Sequence, residues 1–384
     1  MTALLLHGYA SGIYSSRRIA RATVERADFM MIVAGDPPDF RTIWEFRRRH
    51  LKALADLFVQ VLKLAEKAGL VKLGHVALDG TKIKANASKH KAMSYDRMKK
   101  REAELAAEVD RWLKAAEAAD AEEDKLYGDQ RGDEMPDRVA DKQKRLEKIG
   151  EAKAALEAEA KAAAEAERKA RAEAEERRIA EGGKKNGKTP APPNTEPDGK
   201  AQRNFTDPES RILKTKDGYI QGYNAQAAVD GAHQIIVAQT LTSSSSDQAQ
   251  LAPLLDGIRA NLGTNPDEVS ADAGYCSDAN LRTIKRRRIE GYIATGRQKH
   301  GTKSATAKKA SSAGSMIARM STKLKRAGYR SRYRLRKQIV EPVFGQIKQA
   351  RGFRQFLLRG TEKVSTEWAL ICTAHNLVKL ARAA

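Results

Sequence analysis

The sequence has few aromatic residues and only two cysteines. Phe, Trp and Tyr make up 5% of its 384 residues. Cys276 and Cys372 lie far apart and in no CxxC or Cys/His array, which argues against a disulfide framework and against a zinc site. No apolar run is long enough to span a bilayer, and the short run 3–6 lacks the preceding basic region of a signal peptide. We therefore expect a cytoplasmic protein.

Positive charge, by contrast, is abundant. The chain carries 71 Lys and Arg against 49 Asp and Glu, for a formal net charge of +22. Such a charge favours a polyanionic partner, because each neutralised phosphate releases counterions, whereas a membrane surface would normally also require an amphipathic or lipidated anchor. The expected partner class is nucleic acid, and no membrane association is expected.

Helical periodicity predicts a small helical domain over residues 1–72. Apolar residues recur at helical spacing between residues 15 and 67, with a turn signal at 35–39. The intervening positions are rich in arginine, including Arg17 and Arg18. This composition suits contacts with DNA phosphates, and a solvated helix face would carry the same residues. We favour DNA contact and predict that Arg17 and Arg18 bind DNA.

The middle of the chain differs in composition. Residues 73–94 contain an apolar run at 76–78 that predicts the first strand of a catalytic domain. Residues 95–181 are dominated by Ala, Glu, Lys and Arg, with a break at 128–136, which predicts a helical hairpin or coiled coil. Residues 182–204 are rich in Gly, Lys and Pro and are predicted to be a flexible linker.

Strand signals return in residues 205–384, which we assign to the remainder of the catalytic domain and to C-terminal helices. The predicted elements, in chain order, are strands at 223–229 and 234–242, a helix at 247–262 with Asp247 near its N-cap, a strand at 268–271, a helix at 277–288 and a strand at 291–295. A basic stretch at 297–336 is expected to track the DNA backbone. This order predicts an α/β fold with a mixed sheet, helices on both faces and a long helical insertion.

Three acidic residues are candidates for catalysis. Asp79 and Asp272 end predicted strands, and Glu341 lies in the C-terminal region. Carboxylates at the ends of neighbouring strands converge on one edge of a sheet, and hard oxygen ligands suit Mg²⁺ or Mn²⁺. Two such ions, about 3.5–4 Å apart, activate the attacking oxygen and stabilise the leaving oxygen in phosphoryl transfer. On residue types alone, a strand-terminal Asp before Gly is more often a turn former.

Four sequence blocks favour the metal-site interpretation. They comprise residues 75–82 with 85–88, 221–226, 271–275 and 340–348. In this order the blocks resemble the DDE transposases of bacterial insertion sequences, in the InsH-related branch. The resemblance runs from about Gly8 to the C-terminus, and residues 95–204 match it only as a helical insertion.

The resemblance implies an RNase H-like catalytic domain and a catalytic, metal-binding triad of Asp79, Asp272 and Glu341. It also implies Mg²⁺ or Mn²⁺ as cofactor, with two ions expected. Water cuts the element ends in the family, and a 3′-hydroxyl then attacks target DNA. The expected partner is double-stranded DNA, both terminal repeats and target, bound by a homodimer or a larger assembly.

Residues around the final acid are expected to contact DNA. Related transposases carry a Tyr, Arg, Glu and Lys signature, with the Lys seven positions after the Glu. Lys348 occupies that position, while Lys337 and Arg334 stand at the Arg and Tyr positions in strict register. We predict DNA binding by these three residues, and by Lys82 near the first Asp.

A proline follows the final acid directly. Pro342 predicts that Glu341 begins a helix, since the residue before a proline is biased away from helical geometry. Helix capping is the alternative to metal ligation for this residue.

Two further hypotheses remain open beside a working transposase located at the nucleoid. One is a catalytically inactive, transposase-derived DNA-binding protein. The other is a structural coiled-coil protein, which leaves the acidic blocks unexplained. The first residues resemble the middle of the family's N-terminal domain, so we expect upstream helices to be missing, through either an earlier true start or a shortened copy.

Overall fold

The computed structural model describes residues 1–127, 137–180, 191–296 and 315–383. The chain divides into two compact units, Met1–Ala87 with Ile212–Ala384, and Ser88–Arg211. The part of the predicted basic stretch at 297–314 lies outside the described residues. Within the described ranges, no helix is both long and apolar enough to cross a membrane.

In the described residues the strands, in chain order, are β1 (His75–Lys84), β2 (Ala92–Ser94), β3 (Gln202–Asn204), β4 (Arg211–Thr215), β5 (Gly218–Asp230), β6 (Ile236–Thr242), β7 (Glu268–Ala271) and β8 (Glu290–Ile293). The α-helices are α1 (Thr2–Ala10), α2 (Ser16–Glu25), α3 (Ala27–Ile32), α4 (Phe40–Arg49), α5 (Leu51–Lys67), α6 (Tyr95–Tyr127), α7 (Asp137–Ala180), α8 (Leu251–Leu262), α9 (Asp278–Arg286), α10 (Met316–Ala327), α11 (Leu335–Gly345) and α12 (Thr361–Ala383).

The first unit is built on a six-stranded sheet in the order β4-β5-β1-β7-β8, with β6 paired to β5. Strand β1 pairs antiparallel with β5 and parallel with β7, and β7 pairs parallel with β8. Most apolar residues of β1, β5 and β6 are buried, and helices α5, α8, α11 and α12 contribute to the same core. The predicted mixed α/β fold is confirmed, and its architecture is RNase H-like.

The N-terminal helices belong to the same compact unit as the sheet. Phe58 and Leu62 of α5 lie in the large core that the sheet forms with α12. Helices α1 through α5 share a smaller core, whose buried side chains include Leu5, Ile19 and Phe29. Residues 1–67 thus form the helices that their periodicity predicts, and α5 ties them to the sheet.

Strand β1 continues beyond Asp79, where the sequence predicted its end. Antiparallel pairing with β5 extends to Lys84, opposite Gly222, whereas parallel pairing with β7 stops at Leu78, opposite Ala271. Asp79 is therefore a residue within the strand, located one position after the last β1–β7 pair.

Helix α11 contains Pro342 in its interior, so the prediction that Glu341 begins a helix is wrong. Proline has no N–H to donate to the carbonyl four residues earlier, which here is that of Gln338. The side-chain amide of Gln234 donates to this carbonyl at 3.0 Å. A bond from the loop between β5 and β6 thus replaces the helical bond that Pro342 cannot make.

The second unit is a helical hairpin. Lys153 pairs with Glu102 at 2.5 Å and Lys142 with Glu108 at 2.8 Å, so α6 and α7 run antiparallel. A core of buried apolar side chains, Tyr95, Met98, Leu105, Ile149, Ala152 and Leu156, joins the two helices.

The last residues of the predicted linker at 182–204 form a strand. Its residues 182–190 lie outside the described ranges, whereas 202–204 form β3 and pair with β2. The backbone N–H of Tyr95 donates to the carbonyl of Ala201 at 2.8 Å, and the side chain of Asn204 donates to the carbonyl of Ser88 at 2.7 Å. These bonds hold the returning chain against the start of α6.

Candidate active site

Asp79 and Asp272 occupy adjacent strands of the sheet at the same level. Each follows the last residue of the parallel β1–β7 pairing, Leu78 and Ala271 respectively. Asp272 then caps a 3₁₀ turn by accepting a 2.8 Å hydrogen bond from the N–H of Gly274, and Asp79 accepts one of 2.9 Å from the N–H of Gly80. Because both residues directly follow the last pair of two adjacent strands, their carboxyl groups are close enough for the charge of Asp272 to raise the pKa of Asp79.

Both carboxyl groups are poorly solvated. Burial raises the pKa of Asp79 to about 6, the cation of Arg336 opposes that rise, and the charge of Asp272 adds to it. Burial also raises the pKa of Asp272, against the hydrogen bond from the N–H of Gly274. A site that concentrates negative charge in a partly dry setting is one that a cation would stabilise.

A third carboxyl group, that of Asp247, lies beside those of Asp79 and Asp272. We call these three carboxyl groups the carboxyl cluster. Its Oδ1 accepts hydrogen bonds from Nδ2 of Asn224 at 2.7 Å and from Nε2 of Gln226 at 2.6 Å. The hydroxyl of Tyr275 donates to Oε1 of Gln226, which holds the amide in this orientation. Asp247 makes no side-chain cap to the turn that it precedes, although the sequence placed it near a helix N-cap.

Close packing confirms that these carboxyl groups are neighbours. A Cβ atom added to Gly274 would lie 3.0 Å from Oδ2 of Asp247 and 3.0 Å from Oδ1 of Asp272. A Cβ atom added to Gly80 would lie 2.8 Å from Oδ1 of Asp247. The two glycines leave the room in which the three carboxyl groups approach one another.

Arg336 connects this cluster to Glu341. Its Nη1 lies 2.7 Å from Oδ2 of Asp79, and its Nη2 lies 3.5 Å from Oε1 of Glu341. The side chain of Glu341 is 52% exposed, whereas that of Arg336 is 12% exposed. Nε of Arg336 is buried and has no hydrogen-bond partner among the described residues. Tyr333 interacts with the same guanidinium through its hydroxyl.

The donor set suits a hard divalent cation in part. Carboxylate oxygens of Asp79 and Asp272 are the ligand type that Mg²⁺ and Mn²⁺ prefer. Glu341 faces Arg336, and within the described ranges no three acidic, His or Cys side chains come close enough to hold a metal ion together. Two of the three predicted ligands are therefore adjacent, while the third is linked to them through a guanidinium.

The predicted DNA-binding residues occupy varied settings. Nζ of Lys348 lies 3.1 Å from Oγ1 of Thr81 and 3.2 Å from the carbonyl of Lys82, on a π-helical turn that follows α11. Burial lowers the pKa of Lys348. Nζ of Lys82 donates to the carbonyl of Lys214 at 2.8 Å. Lys348 thus contacts β1 at Thr81, two residues after Asp79.

Four other predicted DNA-binding residues lie on the surface. Lys337 and Arg334 are exposed near α11. Arg17 and Arg18 are exposed on α2, and the guanidinium of Arg17 stacks 5.1 Å from the ring centroid of Phe40. Their DNA-binding roles stay predictions.

Sequence reasoning missed Asp247, Arg336 and Tyr333. Strict spacing from Glu341 selected Lys337 and Arg334, whereas the structure brings Arg336 and Tyr333 to the cluster, each one residue earlier. The signal was present, because Tyr333 and Arg336 have the residue types of the signature and its three-residue separation. Asp247 carried no comparable signal, since only folding brings it to β1 and β7.

Family models match two parts of the chain. Residues 194–377 match a model described as the transposase DDE domain, and residues 1–49 match one described as a transposase domain (DUF772). Among curated proteins and among solved structures, nothing matches the chain. The matched segments span more than half of the sequence and include Asp272, Arg336 and Glu341. The chain belongs to the DDE transposases of bacterial insertion sequences.

Proposed function

We propose that this transposase binds the ends of its mobile element and performs DNA strand cleavage and strand transfer by metal-dependent phosphoryl transfer. The observation that carries the proposal is the adjacency of Asp79 and Asp272 at the end of the β1–β7 pairing, with Arg336 linking Asp79 to Glu341. The InsH-related branch suggested by the sequence remains part of the proposal.

Asp79, Asp272 and Glu341 are the proposed catalytic and metal-binding residues. Mg²⁺ or Mn²⁺, when bound, supplies Lewis-acid activation of the attacking oxygen and neutralises charge on the leaving oxygen, and two ions are the expected complement. The chain's own part is to hold the carboxylates in register through β1 and β7. Glu341 joins the other two only if its contact with Arg336 opens or shifts.

Arg336 and Lys348 are proposed to position the scissile phosphate. Arg336 is anchored by Asp79 through Nη1, and its guanidinium has further N–H groups that can donate to a phosphate oxygen. Lys348 places a second cation beside Thr81 on the same strand. Together the two cations would offset the negative charge that DNA brings to an acidic site.

DNA binding is proposed to extend over the N-terminal helices. Residues 1–72 form the proposed DNA-binding domain, with Arg17 and Arg18 in contact with phosphates, and residues 73–94 with 205–384 form the catalytic domain. A homodimer or larger synaptic assembly would bring two element ends together. A catalytically inactive DNA-binding protein is the second candidate, because Glu341 is not gathered with the aspartates.

The test is cleavage of supercoiled plasmid that carries the element's own ends, with Mg²⁺ or Mn²⁺, by wild type and Asp272→Asn. The amide keeps an oxygen to accept from Gly274 but removes the charge. Asp267→Asn is the matched control, since Asp267 is an exposed acidic residue just before β7. Nicking by wild type and the control, and none by Asp272→Asn, would support the proposal. Equal nicking by all three proteins would refute it, and DNA binding without nicking by any would establish the inactive alternative.

A further inference from the structure

The helical hairpin carries a strongly cationic surface around two adjacent cavities. One cavity, of about 300 Å³, is lined by His90, Lys91, Arg97, Arg145 and Lys148. The other, of about 470 Å³, is lined by Arg97, Lys100, Arg101, Glu104 and Arg145. Because Arg97 and Arg145 line both cavities, the two form one surface, which we call the hairpin cationic face.

Most cations of this face have no carboxylate partner among the described residues. Within the described part of the chain, Lys91, Arg97, Lys100, Arg145 and Lys148 make no ion pair, and the one carboxylate of the face, Glu104, pairs with Arg101 at 2.8 Å.

Several other cations of the same unit form ion pairs. Lys142 bonds Glu108 and Lys153 bonds Glu102 between the helices, and Arg203 and Arg211 both bond Glu159. The hairpin cationic face thus gathers five cations with no carboxylate partner among the described residues around two adjacent cavities, and an external anion would offset their mutual repulsion.

The smaller cavity has an apolar floor. Met93, Ile149 and Phe205 line it beneath the cations and also belong to or pack on the hairpin core. These side chains are half-buried or buried, so the face does not present the broad apolar surface by which an amphipathic helix enters a membrane. Cations above an apolar floor suit a ligand that combines phosphates with less polar sugars, which is the composition of a nucleic-acid backbone.

We propose that the hairpin cationic face binds the sugar–phosphate backbone of DNA, so that the insertion is a second DNA-contact surface of this transposase. The inference rests on the proposed function for its choice of DNA as the anion. The expected contacts are Lys and Arg side chains on phosphate oxygens, which contribute to affinity without depending on base sequence. Multiple unpaired cations within one face give a large salt dependence of binding.

The test is the salt dependence of DNA binding by the full chain, measured without divalent metal so that cleavage plays no part. The variant is Arg97→Ala/Arg145→Ala/Lys148→Ala, at exposed helix positions where alanine preserves helicity. Each phosphate contact contributes about 0.9 to the slope of log K against log salt. We expect the slope to fall by about 2 to 3, and the affinity to fall at least roughly tenfold.

The matched control is Lys161→Ala/Arg168→Ala/Lys169→Ala, which removes the same charge from exposed positions of α7 that line neither cavity. A slope that falls equally in the control and the test variant would overturn the proposal, as would an unchanged slope in the test variant. The charge-conserving Arg97→Lys/Arg145→Lys should keep the wild-type slope, which separates charge from folding effects.

The outcome is separable from that of the catalytic proposal. If wild type does not nick DNA but the test variant shows a smaller slope of log K against log salt, the hairpin inference stands and the proposed chemistry fails. If wild type nicks DNA and the test variant binds as wild type does, only the hairpin inference fails.

Discussion

The guanidinium of Arg336 lies between the carboxyl groups of Asp79 and Glu341, 2.7 Å from the first and 3.5 Å from the second. One residue is on β1 and the other is on the same helix as the arginine, so a single cation neutralises charge from two elements. A divalent ion at Asp79 would therefore compete with Arg336 for the same oxygen atoms.

Arg336→Ala should bind Mn²⁺ more tightly than wild type and cleave DNA more slowly. Removing a cation beside the carboxylates removes repulsion of the metal, by about 1 kcal/mol or several-fold in affinity. Cleavage should fall by roughly 100-fold, the scale for loss of one positioned electrostatic donor. Mn²⁺ binding followed by electron paramagnetic resonance, together with plasmid nicking, measures both effects. Arg336→Lys should show a smaller change in each, and tighter binding with undiminished cleavage would contradict a role in phosphate positioning.

Asp247→Asn should shift Mn²⁺ binding in the opposite direction. The asparagine oxygen still accepts from Asn224 and Gln226, but a negative charge next to Asp79 and Asp272 is lost. We expect the Mn²⁺ concentration at half-saturation to rise several-fold, which corresponds to about 1 kcal/mol of binding free energy. The same resonance titration checks it, and Asp256→Asn, on the exposed side of α8, is the control. An unchanged midpoint would assign Asp247 a purely structural role.

Glu367→Gln should reduce the loss of folding stability that the wild type undergoes as pH rises. Burial raises the pKa of Glu367 to about 7, although its carboxylate accepts from the N–H groups of Leu357 and Leu358. The unfolded pKa is about 4.3, so the native state binds the extra proton between these values and the wild type loses stability as pH rises through that window.

Urea unfolding at pH 5 and pH 8 measures this effect. Wild type should lose about 2–3 kcal/mol more than Glu367→Gln between the two values. Glu362→Gln, exposed on the same helix, should behave as wild type does. Parallel pH dependence of wild type and Glu367→Gln would show that Glu367 titrates normally.

Gln234→Ala should destabilise the protein less when Pro342 is replaced by alanine. In wild type the Gln234 amide supplies the bond to the Gln338 carbonyl, and its loss should cost about 1–2 kcal/mol. Alanine at position 342 supplies a backbone N–H to that carbonyl, so removing the Gln234 amide should cost less stability in the Pro342→Ala background. A double-mutant cycle by thermal unfolding gives the coupling energy, and strict additivity would show that the two groups do not serve the same carbonyl.

Part of the site was predictable because local patterns determine it. The apolar run before Asp272 and the following Ala-Gly pair mark a strand and a turn, and both formed. The end of β1 was misplaced because the run of consecutive apolar residues stops at Leu78, while the strand continues with alternation of buried Thr81 and Ile83 and less buried Lys82 and Lys84. That alternation is typical of a strand that is buried on one face and more accessible on the other.

Other contacts depend on distances that one sequence does not specify. Asp247 reaches the cluster because α8 packs beside β6, and its amide partners lie on β5. Arg336 required a departure from fixed spacing by one residue. Pro342 was interpreted from local preference alone, and the compensating donor, Gln234, is more than a hundred residues away in sequence.

The insertion also bears on how the chain reaches its native state. Strands β1 and β5 pair side by side, yet all of residues 88–211 separate them in sequence, which makes their encounter a slow, high-contact-order event. The hairpin of α6 and α7 is stabilised by contacts within its own unit, and the β2–β3 pairing joins its two ends. Once β2 and β3 have paired, only residues 85–91 and 205–217 still separate β1 from β5, so the entropy cost of closing the loop falls. The order of events would then be hairpin first and catalytic sheet second.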